Sequence, residues 1–330
     1  MCSSDLIEED HDLGFSWPYA QLAAAEADVV LVLGSRLGMR FGHGRHPRFS
    51  RAVRFIHVDL NPEHLTQSPT GSLPVLADPG EFCRALDPLL REKLRGCGYQ
   101  RQWLHDRLVA RDQRVAELKN SEHERIHPVA LLEQLEKRRA DDSLLVADGA
   151  DAANWLYATA RIKRPAGFMD HYPMGAMGSC TAIAIGAAAA ERERGVRQAR
   201  HVILVTGDGA FGFMPMELQA AATEQLKLLV IIVNDGAWGT ERHGQRREIG
   251  FEINTELGQL PYEKIAELIG ATGIRIESPG QMEHSLNAAF KAKGTVIVNV
   301  LIDSEAGREL KENPDIRMIT FDDINPETMR

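Results

Sequence analysis

The chain has 330 residues, of which 44% are hydrophobic, 26% charged and 6% aromatic, enough for two ordinary domains and far from the composition of a disordered segment. Its 38 Lys and Arg against 47 Asp and Glu give a formal net charge of -9, which excludes a broad electrostatic footprint for nucleic acid or an acidic membrane surface. No apolar run approaches the ~20 residues of a membrane span, and the first thirty residues lack the charged-then-apolar layout of a secretory signal, so the expected compartment is the cytoplasm. Cys2, Cys83, Cys97 and Cys180 are scattered without a C-x-x-C, which predicts reduced, incidental thiols and neither a disulfide framework nor a zinc site.

Residues 28–33 and 53–58 are short β-branched apolar runs, closed by Gly34 and by Asp59 with Asn61-Pro62, and both predict buried parallel strands. A third run at 73–77 leads into a helix from Pro79, with Phe82, Leu86, Leu89, Leu90 and Leu94 at helical spacing. These elements predict a small central α/β domain over residues 7–98. Residues 99–125 are strongly charged, with Trp103, Leu104, Leu108, Val115 and Leu118 on a helical period, and predict a connecting helix.

A second domain over 126–303 opens with a helix through Leu131, Leu132 and Leu135 and a strand at 144–147 that runs into Asp148-Gly149. After an Ala-rich helix at 181–190, strands at 201–206, 228–233, 274–276 and 295–301 alternate with helices at 216–224, 262–269 and 281–292. The fold class is therefore α/β, with two doubly wound parallel-sheet domains and ligands expected at the carboxyl ends of strands. Residues 304–330 predict a polar C-terminal extension.

The segment richest in chemistry is Gly207-Asp208-Gly209-Ala210-Phe211-Gly212, after a strand and before a helix. Taken literally it matches G-x-G-x-x-G, with Asp235 ending the next strand where a ribose-binding acid belongs, so a non-catalytic dinucleotide-binding module is one reading. Against it, Asp208 aims a carboxylate at the pyrophosphate, which is repulsive unless a cation lies between them. Mg²⁺ accepts one or two carboxylates plus phosphate oxygens and water, and Asp208 and Asp235 close consecutive strands.

This arrangement resembles the signature of the thiamin-diphosphate enzymes: Gly-Asp-Gly, then a helix and a strand, then a pair that is most often Asn-Asn. Here the pair is Asn234-Asp235, followed by Gly236-Ala237-Trp238-Gly239. The resemblance implies Mg²⁺ on Asp208, on Asp235 or Asn234, and on the main-chain oxygen of Ala237, with Gly207, Gly209, Ala210, Trp238 and Gly239 around the cofactor. The departure from Asn to Asp adds a negative charge. His171-Tyr172-Pro173-Met174-Gly175-Ala176-Met177-Gly178 is similar to the family's glycine-flanked turn. It implies Met177 as the wedge that keeps the cofactor bent, beside Ala176, and the Gly175 main-chain oxygen as acceptor for the aminopyrimidine. Ala152, Ala153 and Asn154 fall where the family approaches the diphosphate.

Residues 26–37 and 55–62 resemble the central domain of acetolactate synthase and its relatives, including benzaldehyde lyase and 2-hydroxyacyl-CoA lyase. The resemblance, over most of 20–303, implies a transferase or lyase that decarboxylates a 2-oxo acid and joins it to an acceptor carbonyl. A 2-hydroxyacyl-CoA lyase is the alternative within the family, and an inactive paralogue a further one. Family members place a pyrimidine-binding domain first, and it carries the activating glutamate. The expectation is a fragment that lacks that domain and offers no general base of its own, with a homodimer or homotetramer expected for the full-length protein. Cys2-Ser3-Ser4-Asp5-Leu6 resembles a translated sequencing adapter, so residues 1–6 are expected to be non-native, the alternative being an ordinary polar N-terminus.

Several residues beside the motifs have a bland and a functional reading. Trp238 is either a packed aromatic or part of a substrate pocket. His171 and His243 are expected to be structural or surface histidines before proton carriers. Glu241, Arg242 and Gln245 predict a solvated helix face. Arg36, Arg40, Arg45 and Arg48 predict a solvated basic stretch; FAD or a CoA substrate is conceivable there by analogy with relatives, but nothing in these residues supports either.

Overall fold

The computed structural model describes residues 24–46, 48–94, 125–172, 174–195 and 199–312, with isolated positions 106, 109, 113 and 116–118 between them. The expected foreign residues 1–6, the start of the first domain, most of the connecting helix and the tail beyond 312 lie outside the described residues. The described residues divide into two compact units between Leu108 and Val109.

In the first unit β1 (Val29–Leu33), β2 (Arg54–Asp59) and β3 (Leu73–Leu76) form a parallel sheet in that order. The Asn61 side chain accepts the Glu63 N–H at 2.9 Å to start α1 (Pro62–Thr66), and Asp78 accepts the Glu81 N–H at 2.9 Å to start α2 (Pro79–Lys93). Val32, Leu37, Phe49 and Phe55 make the core, with Val30 packed against it.

The first strand is less enclosed than its apolar run predicts. Successive residues point to opposite faces, and among the described residues only the face of Val30 and Val32 meets the Phe49–Phe55 core, while Val29, Leu31 and Leu33 are exposed. Arg48, expected in solvent, is 3% exposed, and its aliphatic stem lies over Gly42.

The second unit starts with α3 (Pro128–Glu136), β4 (Leu144–Asp148), α4 (Asp151–Thr159), β5 (Phe168–Asp170) and α5 (Ser179–Glu193). It continues through β6 (Val202–Gly207), the one-turn α6 (Asp208–Phe211), α7 (Leu218–Thr223), β7 (Leu228–Asn234) and α8 (Gly239–Ile249). Then come α9 (Glu263–Ile269), β8 (Thr272–Ile276), α10 (Pro279–Lys291), β9 (Thr295–Leu301) and the one-turn α11 (Glu309–Glu312). All six strands are parallel, in the order β5-β4-β6-β7-β9-β8.

Strands β4, β7 and β9 are buried at every residue, as their unbroken apolar runs require in a sheet covered on both faces. The sequence reading did not anticipate α4 or the three-residue β5. From β4 the chain steps outward to β5 and then returns to the other side of β4 to lay down β6. That reversal opens a crevice at the carboxyl ends of β4 and β6. Among the described residues no helix is long and apolar enough to cross a membrane.

Candidate functional site

Loops leaving β4, β6, β7 and β9 wall a single cleft in the second unit, about 650 Å³ including its open mouth. Gly149–Ala152, Gly207–Ala210, Asp235 and Ala237–Glu241 line it, with Ile302 and Asp303 from the end of β9. Asp208 opens α6 and is 2% exposed; Asp235 follows β7 directly. Burial first, and then the charge of Asp235, push the Asp208 carboxyl up to about 8, and burial raises Asp235 as well. The Asp208 Oδ2 atom is buried without a hydrogen-bond partner.

Two facing acids that resist joint ionisation, one with an unmet oxygen, are the surroundings a hard divalent cation relieves. The residues present fit Mg²⁺.

Asn234 and Asp235 point in different directions. Asn234 is 0% exposed, and its Nδ2 donates to Asn299 Oδ1 at 3.0 Å and to the Leu260 carbonyl at 3.4 Å, while its Oδ1 accepts the Gly236 N–H at 3.0 Å. Its amide fastens β7 to β9 and to the turn, and Asp235 is the member that faces the cleft. Asp235 Oδ1 accepts the Ala237 N–H at 3.2 Å. Ala237 pairs with Glu256 in an antiparallel bridge, and the Trp238 N–H donates to the Thr255 carbonyl at 2.8 Å, which fixes the loop after β7.

Trp238 is both packed and cleft-lining. Its ring lies over Gly209, where a Cβ would stand 2.6 Å from Cζ3, and its centroid is 5.9 Å from that of Phe213. Met177 lines the same cleft and is 40% exposed. Its turn depends on Gly178, at φ +85, where a Cβ would meet Phe213 Cβ at 2.6 Å. Gly175 and Ala176, which precede Met177, are exposed and not on the wall, and neither is Asn154 on it. On α4 the arc that faces the cleft holds Asp151, Ala152 and Trp155, and Asn154 falls outside it.

Asp151 and Thr240 went unnoticed in the sequence. Thr240 Oγ1 donates to Asp151 Oδ1, joining α8 to α4 across the cleft. Were Gly239 to carry a Cβ, Asp235 Oδ2 would be 2.5 Å from it and Asp151 Oδ2 2.9 Å, so two acids flank one space. The available signal was position alone, an acid at the first turn of a helix that follows a strand-end glycine.

Arg242 corrects the expectation of a solvated helix face, and it and His243 are each 3% exposed. Arg242 pairs with Glu256 and, at 3.4 Å, with Glu252. His243 Nε2 sits 3.1 Å from the Ser304 carbonyl, and burial holds its ring below the ordinary histidine range. Gln245 accepts the Ile253 N–H at 2.7 Å, and Glu241 is exposed on the cleft wall. His171 is buried beside Asp148.

Compared with known families, residues 148–300 match the thiamine pyrophosphate enzyme C-terminal TPP binding domain, and residues 3–86 match the thiamine pyrophosphate enzyme central domain. The acetolactate synthase large subunit of Mycobacterium tuberculosis is 28% identical over 314 residues, covering 93% of this chain and 54% of that protein. The 2-hydroxyacyl-CoA lyase 1 of Mus musculus is 24% identical over 303 residues, 88% of this chain and 52% of the relative. Oxalyl-CoA decarboxylase of Escherichia coli is 24% identical over 321 residues, 92% and 53% respectively. The chain thus spans about half the length of these curated relatives.

Proposed function

The chain belongs to the thiamine pyrophosphate enzymes, with their central and C-terminal cofactor-binding domains, and from that premise we propose that it works on a 2-oxo acid as acetolactate synthase does, by decarboxylation and ligation to an acceptor carbonyl. The observation that carries this reading is the buried Asp208–Asp235 pair with its unmet carboxylate oxygen, at the mouth of a glycine loop. In this reading Asp208, Asp235 and the main-chain oxygen of Ala237 hold Mg²⁺ for the diphosphate. Gly207, Gly209 and Ala210 allow close backbone approach, Gly239 leaves room beside Asp235, and Trp238 walls the cleft against water.

Met177 would orient the ring system, and the Gly175 carbonyl, which lies off the cleft wall, would accept a hydrogen bond from the aminopyrimidine. Bound there, thiamine pyrophosphate supplies an electron sink for the charge left on the substrate carbon. The residues of this chain anchor, orient and exclude water. We assign them no general base, and the activating glutamate comes from the pyrimidine-binding domain of the opposing subunit in the homodimer or homotetramer of the full-length protein. The compartment is the cytoplasm, in keeping with the free thiols of Cys83 and Cys180.

Calorimetric titration with thiamine pyrophosphate tests the assignment, and binding is expected only when Mg²⁺ is present. Metal-independent binding, or no binding by the chain alone and none when a pyrimidine-binding domain is supplied, overturns it. Two of the similar relatives carry CoA in their names, which makes a CoA thioester the second candidate donor. A rise in melting temperature with a CoA thioester, and none with 2-oxo acids, favours that donor.

A further inference from the structure

We propose that Asp148 is a positioning residue whose carboxylate presets the Met177 turn for the cofactor. Asp148 ends β4 and is 0% exposed. Its Oδ1 accepts the N–H groups of Gly149 at 2.7 Å and Gly178 at 3.1 Å, and its Oδ2 accepts that of Cys180 at 3.0 Å. Gly178 directly follows Met177 and Cys180 lies in the first turn of α5, so one side chain ties the end of β4 to the exit of the turn.

The entrance is held in the same manner. Asp170, at the end of β5, accepts the Tyr172 N–H at 2.9 Å and the Tyr157 hydroxyl at 2.6 Å, and the Gly175 N–H donates to the His171 carbonyl at 2.9 Å. Between these fixed ends Met177 is the residue presented to the cleft.

Three converging N–H donors call for a group that only accepts. A carboxylate does so with charge-assisted bonds, whereas an amide of the same shape turns an NH₂ toward one of the donors. Behind the carboxylate, His171 Nδ1 stands 3.7 Å from Asp148 Oδ1, buried and without a hydrogen-bond partner, and Cys180 Sγ donates to the Ala147 carbonyl at 3.1 Å. Asp148, His171 and Cys180 have the residue types of a metal site, with ligand atoms within 4.8 Å of one another. Here, however, both carboxylate oxygens are already engaged, and burial followed by the Asp148 charge pushes the thiol up, away from the thiolate a metal needs. The cluster acts as a strut.

This role rests on the cofactor reading above, and the experiment separates the two. Asp148→Asn, Met177→Ala and the double variant are compared with wild type for Mg²⁺-dependent binding of thiamine pyrophosphate and of inorganic pyrophosphate. Hydrogen exchange at the Gly178 and Cys180 amides is followed in parallel. Asp148→Asn is expected to speed that exchange, to weaken thiamine pyrophosphate about tenfold or more, and to leave inorganic pyrophosphate within about twofold. In the Met177→Ala background it adds no further loss.

Equal losses for both ligands, additive losses in the double variant, or unchanged exchange overturn the positioning role. If wild type binds neither ligand, the cofactor reading fails, and the exchange measurement still decides whether Asp148 fixes the turn. Should Asp148→Asn fail to fold, Cys180→Pro removes one of the same bonds from the donor side, at a first-turn helix position that tolerates proline, and the same outcomes apply with exchange read at the Gly178 amide alone.

Discussion

Asp148 leaves β4 and Asp208 leaves β6, two neighbouring strands of one sheet, and they are 0% and 2% exposed. Asp148 receives three backbone N–H groups; Asp208 keeps one oxygen without a partner and faces a second acid. Equal burial therefore gives opposite chemistry. The first has its oxygens filled by backbone donors, whereas desolvation and a like charge disfavour the ionised form of the second. Burial of an acid does not by itself mark a ligand site. The mark is hydrogen-bonding capacity that the fold leaves unmet.

The largest effect that tests this contrast is on binding. Asp208→Asn is expected to weaken Mg²⁺-dependent binding of thiamine pyrophosphate by at least about 100-fold, the upper end of what even outer-shell partners of a metal contribute. Calorimetry reads this directly, and a loss below about tenfold would remove Asp208 from the metal set. Stability runs the other way. Asp148→Ala strands three N–H donors and is expected to cost about 3 kcal/mol in denaturant unfolding, against under about 1 kcal/mol for Asp208→Ala without metal. Equal costs would erase the distinction between the two acids. Gly209→Ala, whose new Cβ meets the Trp238 ring at 2.6 Å, is expected to cost about 2 kcal/mol and to shift tryptophan emission.

Much of this site is legible from strand ends. Gly207–Gly212 and Asn234–Asp235 follow apolar runs that can only be interior strands, so their placement at one end of a parallel sheet follows from order alone. Side-chain direction does not follow. Asn234 is turned inward by Asn299, 65 residues away, and Asp151 is tied across the cleft to Thr240, 89 residues away, partners that no local pattern announces. Asp148 reads as a strand terminus until Gly178 and Cys180 return to it. Burial misleads in both directions. Val29 and Leu31 belong to an apolar run yet lie exposed among the described residues, and Arg242 sits in a polar helix yet is buried against Glu256.

The smallest effect concerns the departure from Asn-Asn. Asp235 sits beside Asp208 with both carboxyls raised, so the folded chain holds a proton that the unfolded chain releases near the ordinary carboxylate value. Stability from these groups is thus fully present at acid pH and is lost as pH climbs from about 4 toward the raised folded value. Asp235→Asn removes the like charge. Without metal it is expected to unfold about 1 kcal/mol later than wild type at pH 8 and to match it near pH 4. Saturating Mg²⁺ with thiamine pyrophosphate should reverse the order at pH 8, because binding to the folded state adds more for the pair that attracts the cation more strongly. Thermal melts at the two pH values, with and without the ligands, supply all four comparisons. If the variant is no more stable than wild type at pH 8 without metal, the acids do not repel, and the contrast between Asp208 and Asp148 loses its electrostatic basis.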